Sequence, residues 1–216
     1  RMCNRYTSPA DADMERFGQL RPGQAWRQME IFPRRQGPFI RHDNDGSREL
    51  VIGQWGLIPW FARAPRLAYS TNNARFEELA SKASFRGPRG DGKRCIIPAL
   101  SFVEPNWEQG RCVWWSFRRI DGKPWGLAGL WNTWTDRASG EVYESYSMLT
   151  VNADDHPLMS RMHKPDPNYG PDEQDKRSVV AIERANVDRW LEGTVEEAGA
   201  TVAPPRVELI EAACVT

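Results

Sequence analysis

The sequence predicts an α+β fold: one strand-rich domain over residues 1–216, its mixed sheet curled into a barrel-like form, with short helices at the periphery. Three observations carry this. The apolar stretches are short runs rich in Val, Ile, Trp, Tyr and Phe, bounded by Gly, Pro, Asn and Asp. Helical periodicity surfaces only in brief segments. A chain of 216 residues, 40% hydrophobic with 10 Trp, is long enough to bury one sizeable core.

Taken in order, residues 11–18 read as a short helix, with Asp11 and Asp13 early and Gly18 at its end. Residues 28–60 are strand-like; Glu30-Ile31-Phe32 and Phe39-Ile40 flank a turn-rich stretch over 33–38. Asn44-Asp45-Gly46 predicts a hairpin ahead of Leu50-Val51-Ile52. The acidic run 43–49 has a faint calcium-loop look, but its ligand spacing is wrong and it reads as a turn. Residues 77–81 suit a helical turn, and 86–93 a loop rich in Gly, Arg and Pro. Strands follow at 95–100, 112–117, 125–131, 143–151 and 179–182. Asn186 is placed to cap a helix through Leu191, with Val187, Trp190 and Leu191 facing inward. A short helix after Thr194 and a last strand at 207–210 complete the chain, which has no internal repeat and no low-complexity linker.

Composition narrows the function classes. Net charge is zero, so no global basic field marks the chain as a nucleic-acid binder. The basic residues are nonetheless skewed, 24 Arg to 5 Lys. Arg offers the fork that fits phosphate oxygens, although a GC-rich genome yields the same skew, so local clustering has to decide. No apolar run approaches a membrane span and no signal-peptide pattern is present, which leads us to expect a cytoplasmic protein with no membrane partner. Cys3, Cys95, Cys112 and Cys214 show no CxxC spacing, which argues against a zinc site or a disulfide framework; we expect no metal and no cofactor. With no repeat or coiled-coil face, a monomer is expected.

The most informative residue is Cys3, one position after Met2, which reads as an initiator with Arg1 as an extra residue ahead of it. A Cys freed to the terminus carries an amine and a thiol on adjacent carbons, with reference pKa values of about 8 and 8.5. An aldehyde condenses with such an amine, and the thiol then closes a five-membered thiazolidine. The chemistry requires that Arg1 and Met2 be absent. Four further pieces stand beside it. Thr71-Asn72-Asn73-Ala74-Arg75 is a polar run after a Pro-marked stretch. Arg94-Cys95-Ile96-Ile97-Pro98-Ala99 leads to Phe102-Val103-Glu104, where Glu104 is either a solvated strand end or a buried proton shuttle. His156 and His163 bracket one short segment in a chain with 3 His, as acid/base candidates or as ordinary structural histidines. Trp55-Gly56-Leu57-Ile58-Pro59-Trp60-Phe61 is either core or an exposed stacking platform.

In this order, Met2-Cys3-Asn4-Arg5, Trp55 to Phe61, Asn72 to Arg75, Arg94 to Glu104 and the Thr150-Val151-Asn152-Ala153 segment followed by His resemble the SOS response-associated peptidase family, which includes sensors of abasic sites in DNA. The resemblance implies that Cys3 attacks the ring-opened aldehyde of an abasic site in single-stranded DNA. The thiazolidine then shields the lesion during the SOS and DNA-damage response. It implies Asn73, Glu104 and His163 as active-site partners: Asn73 to orient the amine or sugar, Glu104 and His163 to move protons. It further implies DNA contacts by Arg5, Pro33, Arg75, Thr150 and Arg177, and base stacking by Trp60 and Phe61. Peptidase, hydrolase and lyase character, including autoproteolytic removal of residues before Cys3, is implied as well.

The chain departs from the family pattern at Pro105, where many relatives have Trp. It departs again in the polar stretch 166–176, which makes the alignment of His163 and Arg177 looser. Arg1 is the third departure. Two rival functions stay open: a thiol peptidase acting on proteins, and a non-covalent single-strand binding module in which Cys3 is incidental.

Overall fold

A computed structural model describes residues 3–18, 20, 25–43 and 45–215. Five strands close a ring: β3 (Gln36–His42), β4 (Arg48–Trp55), β6 (Arg94–Ala99), β9 (Trp125–Thr135) and β10 (Val142–Asn152). Around it β10 pairs β4 in parallel, and every other pairing, including the β9–β10 contact that closes the ring, is antiparallel. The short β5 (Asn73–Arg75) and β11 (Arg177–Val179) dock along the far half of β10. The expected barrel-like sheet is thus observed as a closed barrel, which leaves few free edges.

A second, antiparallel sheet has the order β12-β8-β7-β1-β2, from β1 (Tyr6–Ser8), β2 (Met29–Ile31), β7 (Ser101–Asn106), β8 (Val113–Arg119) and β12 (Ile210–Cys214). The chain passes from barrel to second sheet at Leu100, whose N–H donates to the Thr7 carbonyl at 2.8 Å. Tyr6, Trp55, Phe102, Phe117, Trp125 and Tyr146 fill the core between the sheets. The opposite side of the barrel is covered by Met14, Phe17, Trp190 and Leu191 from the helices.

Most elements match the expectations. Asp11–Phe17 is a 3-10 helix ended by Gly18 at φ +120°. The β3–β4 hairpin closes with the Asp43 N–H on the Ser47 carbonyl at 2.7 Å, and Gly46 adopts φ +86°; Asn44 of the expected turn lies outside the described residues, as do Arg1 and Met2. Val187, Trp190 and Leu191 are buried on α2 (Val187–Glu192), and Thr194 closes a capping box on α3 (Val195–Gly199).

Five expectations are corrected. The stretch expected as a loop over 86–93 is largely α1 (Ala83–Gly90), which holds Pro88 inside it because burial of Ser84, Phe85 and Pro88 outweighs poor propensity. Gln36, Gly37 and Pro38 belong to β3 rather than to the turn, and Gly37 is required there: a Cβ would stand 2.1 Å from the Tyr146 hydroxyl. β11 ends at Val179: the Val180 N–H still reaches the Leu149 carbonyl of β10 at 3.3 Å, but the Val180 carbonyl accepts from Ala128 N–H on β9 at 2.9 Å and Ile182 N–H donates to the Gly126 carbonyl at 2.8 Å. The last strand begins at Ile210, after a 3-10 turn at Val207–Leu209. Asn186 stands at the α2 N-cap without a side-chain cap bond, because a 3-10 turn runs directly into the helix.

Candidate functional site

Cys3 lies just ahead of β1, where that strand is held between β2 and β7, and the Val103 N–H donates to the Arg5 carbonyl at 3.0 Å. The residue is 1% exposed. Its thiol donates to the Arg5 carbonyl at 3.5 Å. Its own carbonyl accepts from Asn73 Nδ2 at 2.6 Å and from Asn72 Nδ2 at 3.4 Å. Both amides reach one carbonyl because β5 starts at this point: Asn72 is held through its own carbonyl by Met148 N–H and Trp55 Nε1, each at 2.8 Å. The Ser70 hydroxyl donates to Asn72 Oδ1, which aims its NH₂ at Cys3 and at Asn4 Oδ1.

Glu104, on β7, is 1% exposed. Burial raises its pKa to about 8, with a partial offset from the Cys3 thiol. Burial also raises the Cys3 thiol well above its ordinary value, and the neighbouring Glu104 charge adds to this. The thiol is therefore protonated at neutral pH, beside a carboxyl that exchanges protons near neutrality. The His163 ring also stands beside Glu104, Nε2 3.3 Å from Oε2, yet the contact is not directed as a hydrogen bond, and both His163 nitrogens and Glu104 Oε2 are buried without one. Burial lowers the His163 pKa to about 4, so its imidazole is neutral.

The backbone holds this ring in an unusual pose. His163 adopts φ +64°, a left-handed conformation costly for a residue with a Cβ. Its N–H donates to the Pro105 carbonyl at 2.6 Å, and Lys176 Nζ donates to the carbonyls of Met162 and His163 at 2.8 Å each. His156 is used otherwise: Nδ1 accepts from the N–H groups of Leu158 and Met159, so Nε2 carries the proton and donates to the Pro205 carbonyl at 2.7 Å. Glu104, Pro105 and His163 open onto a cavity of about 490 Å³ whose wall includes Asn4, Trp107 and Trp114.

The remaining site candidates fall into two groups. Pro33 shares a small cleft with Trp55 and Asn72, so its loop borders the asparagine side of the site. The Trp55–Phe61 segment splits: Trp55, Leu57 and Ile58 are core, while Trp60 is 69% and Phe61 40% exposed, edge to face with centroids 5.6 Å apart. Arg5 is surface-accessible but engaged with Glu30 through Nε at 2.8 Å. Arg75, Thr150 and Arg177 form a separate cluster along β10. Arg75 is paired with Thr150 in register and bonds Asp175 at 2.5 Å. Arg177 is 5% exposed and bonds Glu77 at 2.7 Å, Asp175 at 3.0 Å and the Thr150 carbonyl at 3.0 Å. The structure brings Cys3, Asn73, Glu104 and His163 together and leaves Arg177 occupied by carboxylates.

Sequence reasoning missed Asn72, Lys176, Trp107 and Trp114. The doubled Asn was a visible signal for the first. Nothing local marks Lys176, whose role depends on a loop folding back over a distant carbonyl. Among the described residues no three or more His, Cys, Asp or Glu side chains gather as a metal site, and no helix is long and apolar enough to cross a membrane.

A family model for SOS response associated peptidase (SRAP) matches residues 2–216. The abasic site processing protein YobE of Bacillus subtilis (strain 168) is 34% identical over 193 residues, covering 81% of this chain and 80% of that protein. The abasic site processing protein HMCES of Gallus gallus is 27% identical, covering 62% of this chain; the chain spans about half of that relative, 48%. A crystal structure of a Bordetella bronchiseptica protein superposes with a TM-score of 0.84 at 32% identity, covering 99% of this chain and all of the other. The chain belongs to the SOS response associated peptidase family.

Proposed function

We propose that this protein binds single-stranded DNA and captures abasic sites as a covalent adduct on Cys3, shielding the lesion during the DNA-damage response. The observation that supports it most is the convergence on Cys3 of Asn73, which fixes its carbonyl at 2.6 Å, with Glu104 and His163 buried alongside. The names of its relatives, abasic site processing proteins, point the same way. The α-amine of Cys3 attacks the aldehyde carbon of the ring-opened sugar. Loss of water, with a proton supplied to the departing hydroxyl by Glu104 in its acid form, leaves an imine. The thiol then adds to the imine carbon and its proton passes to nitrogen, so aldehyde and aminothiol become thiazolidine and water. Trp60 and Phe61 supply stacking faces for bases, and Arg5 and Arg75 supply guanidinium groups for phosphates. In this reading one domain acts as a monomer in the cytoplasm.

The reaction needs a free amine, so hydrolysis of the Met2–Cys3 bond precedes it. A self-processing peptidase step suits this, since the Cys3 thiol and Glu104 are already adjacent. The test is intact-mass analysis of protein beginning at Cys3 with single-stranded DNA carrying one abasic site. A stable adduct of protein plus DNA minus one water is expected, absent in Cys3→Ala and in chains that retain Arg1-Met2. A stable adduct with Cys3→Ala, unaided by a reducing agent, would falsify the thiazolidine.

A further inference from the structure

We propose that the cavity beside Glu104 and His163 is a base-stacking subsite that holds one nucleobase adjoining the lesion against Trp107 and Trp114. This rests on the reading of the protein as a binder of abasic single-stranded DNA and adds where the neighbouring nucleotide goes. Three observations carry it. First, the walls form a slot. Pro105 and Trp114 are cross-strand partners on β7 and β8, and side chains at alternate positions share a face, so Trp107 and Cys112, one step beyond the ladder, join them. Pro165 and Pro167 also line the cavity. A flat ring stacks on an indole face, and Trp114 is 46% exposed.

Second, the size suits more than a sugar. About 490 Å³ falls within the range of sites that bury a small organic ligand, roughly 300–1,000 Å³. An abasic sugar seated at Glu104 leaves most of it empty, and the next base along the strand lies one nucleotide away. Third, a cation is at hand for a phosphodiester. Lys164 Nζ lies over the Trp107 ring, 5.2 Å from its centroid, while the Asp166 carboxylate that also lines the cavity accepts from the Asn168 N–H and Nδ2 at 2.9 Å each. The nearby Glu108 carboxylate is neutralised by Arg161 at 2.8 Å.

Two exposed thiols make the test direct. Cys112 lines the cavity and Cys214 lies outside it. Cys3→Ala protein beginning at residue 3 is bound to single-stranded DNA whose abasic site is flanked by bases on both sides, or by a base-less spacer on one side or both. Alkylation of each thiol by N-ethylmaleimide is followed by mass spectrometry. Base-flanked DNA is expected to slow Cys112 about tenfold and leave Cys214 unchanged, the protection vanishing when one particular flank lacks its base. Trp114→Ala should raise the half-saturating concentration of base-flanked DNA about tenfold and leave that of spacer-flanked DNA unchanged. Equal Cys112 rates with every bound DNA overturn the subsite. Protection of Cys112 without DNA, only in chains that retain Arg1-Met2, also overturns it and assigns the cavity to a peptide. Crosslinking of the same DNAs by protein with Cys3 intact reads the proposed function separately: adducts without Cys112 protection remove the subsite alone, whereas no adduct with any DNA removes both.

Discussion

Nε2 of His163 stands 3.3 Å from Oε2 of Glu104, both groups are nearly fully buried, and no hydrogen bond joins them. With Glu104 raised to about 8 and His163 lowered to about 4, the pair holds one proton between those limits and carries no net charge. A single proton is thus held in a buried pair beside the Cys3 thiol, and in the proposed reaction it is the proton that imine formation would draw on.

The same pair sets a pH dependence of stability. In the unfolded chain the two groups titrate at about 4.5 and 6.5. Between 4.5 and 6.5 both states bind one proton and the pair is neutral for stability. From 6.5 to 8 the folded state keeps a proton that the unfolded state has lost, so stability falls as pH rises, by about 2 kcal/mol over that window. Chemical denaturation at pH 6.5 and 8 should show this fall in the wild type and its disappearance in Glu104→Gln.

Glu104→Gln keeps the shape and removes the exchangeable proton. The rate of stable adduct formation is expected to drop by about 10²–10⁴, the usual contribution of a positioned acid or base, with non-covalent binding retained. Quenched-flow gels on protein beginning at Cys3 check this. An unchanged rate would remove Glu104 from the chemistry.

Asn73 donates to the Cys3 carbonyl at 2.6 Å and does not touch the thiol, so it is a positioning residue. Asn73→Ala should slow crosslinking about tenfold or more, in line with a lost buried hydrogen bond of about 1–3 kcal/mol. Asn73→Asp should be worse than Ala, because a carboxylate turns an acceptor toward the carbonyl. If Asp and Ala behave alike, the amide donor is not what matters.

Trp60 is 69% exposed and its ring contact is Phe61. Trp60→Ala should change stability by less than about 0.5 kcal/mol. Single-strand affinity should weaken by about 1–3 kcal/mol, measured by fluorescence anisotropy. Loss of stability without loss of affinity would return Trp60 to a packing role.

Arg177 is the opposite case. Its guanidinium ties Glu77, Asp175 and the Thr150 carbonyl together at the junction of β5, β10 and β11. Arg177→Ala is expected to cost about 1–3 kcal/mol of stability, since the bonds to Glu77, Asp175 and the Thr150 carbonyl are lost and two half-exposed carboxylates are left adjacent. The salt dependence of DNA binding should stay as in the wild type. A flatter dependence would instead mark Arg177 as a phosphate contact.

How far each feature could be read from sequence follows the range of the interaction behind it. The short apolar runs and turn residues determined most strands, the 42–48 hairpin and the Thr194 cap, because these depend on side chains within a few positions of one another. The motifs around Cys3, Asn73 and Glu104 singled out residues that the fold brings together, each a short segment whose residue types suit the proposed chemistry. The α1 helix was not legible, since Gly87 and Pro88 argue locally for a loop and only burial against the barrel reverses that. Nor could sequence separate His163 from His156. That choice depends on where the chain folds back: one ring reaches Glu104 while the other is spent on backbone groups. The pKa values belong wholly to the tertiary structure, because they come from removing the Glu104 carboxyl and the His163 imidazole from water together, something no local sequence pattern contains.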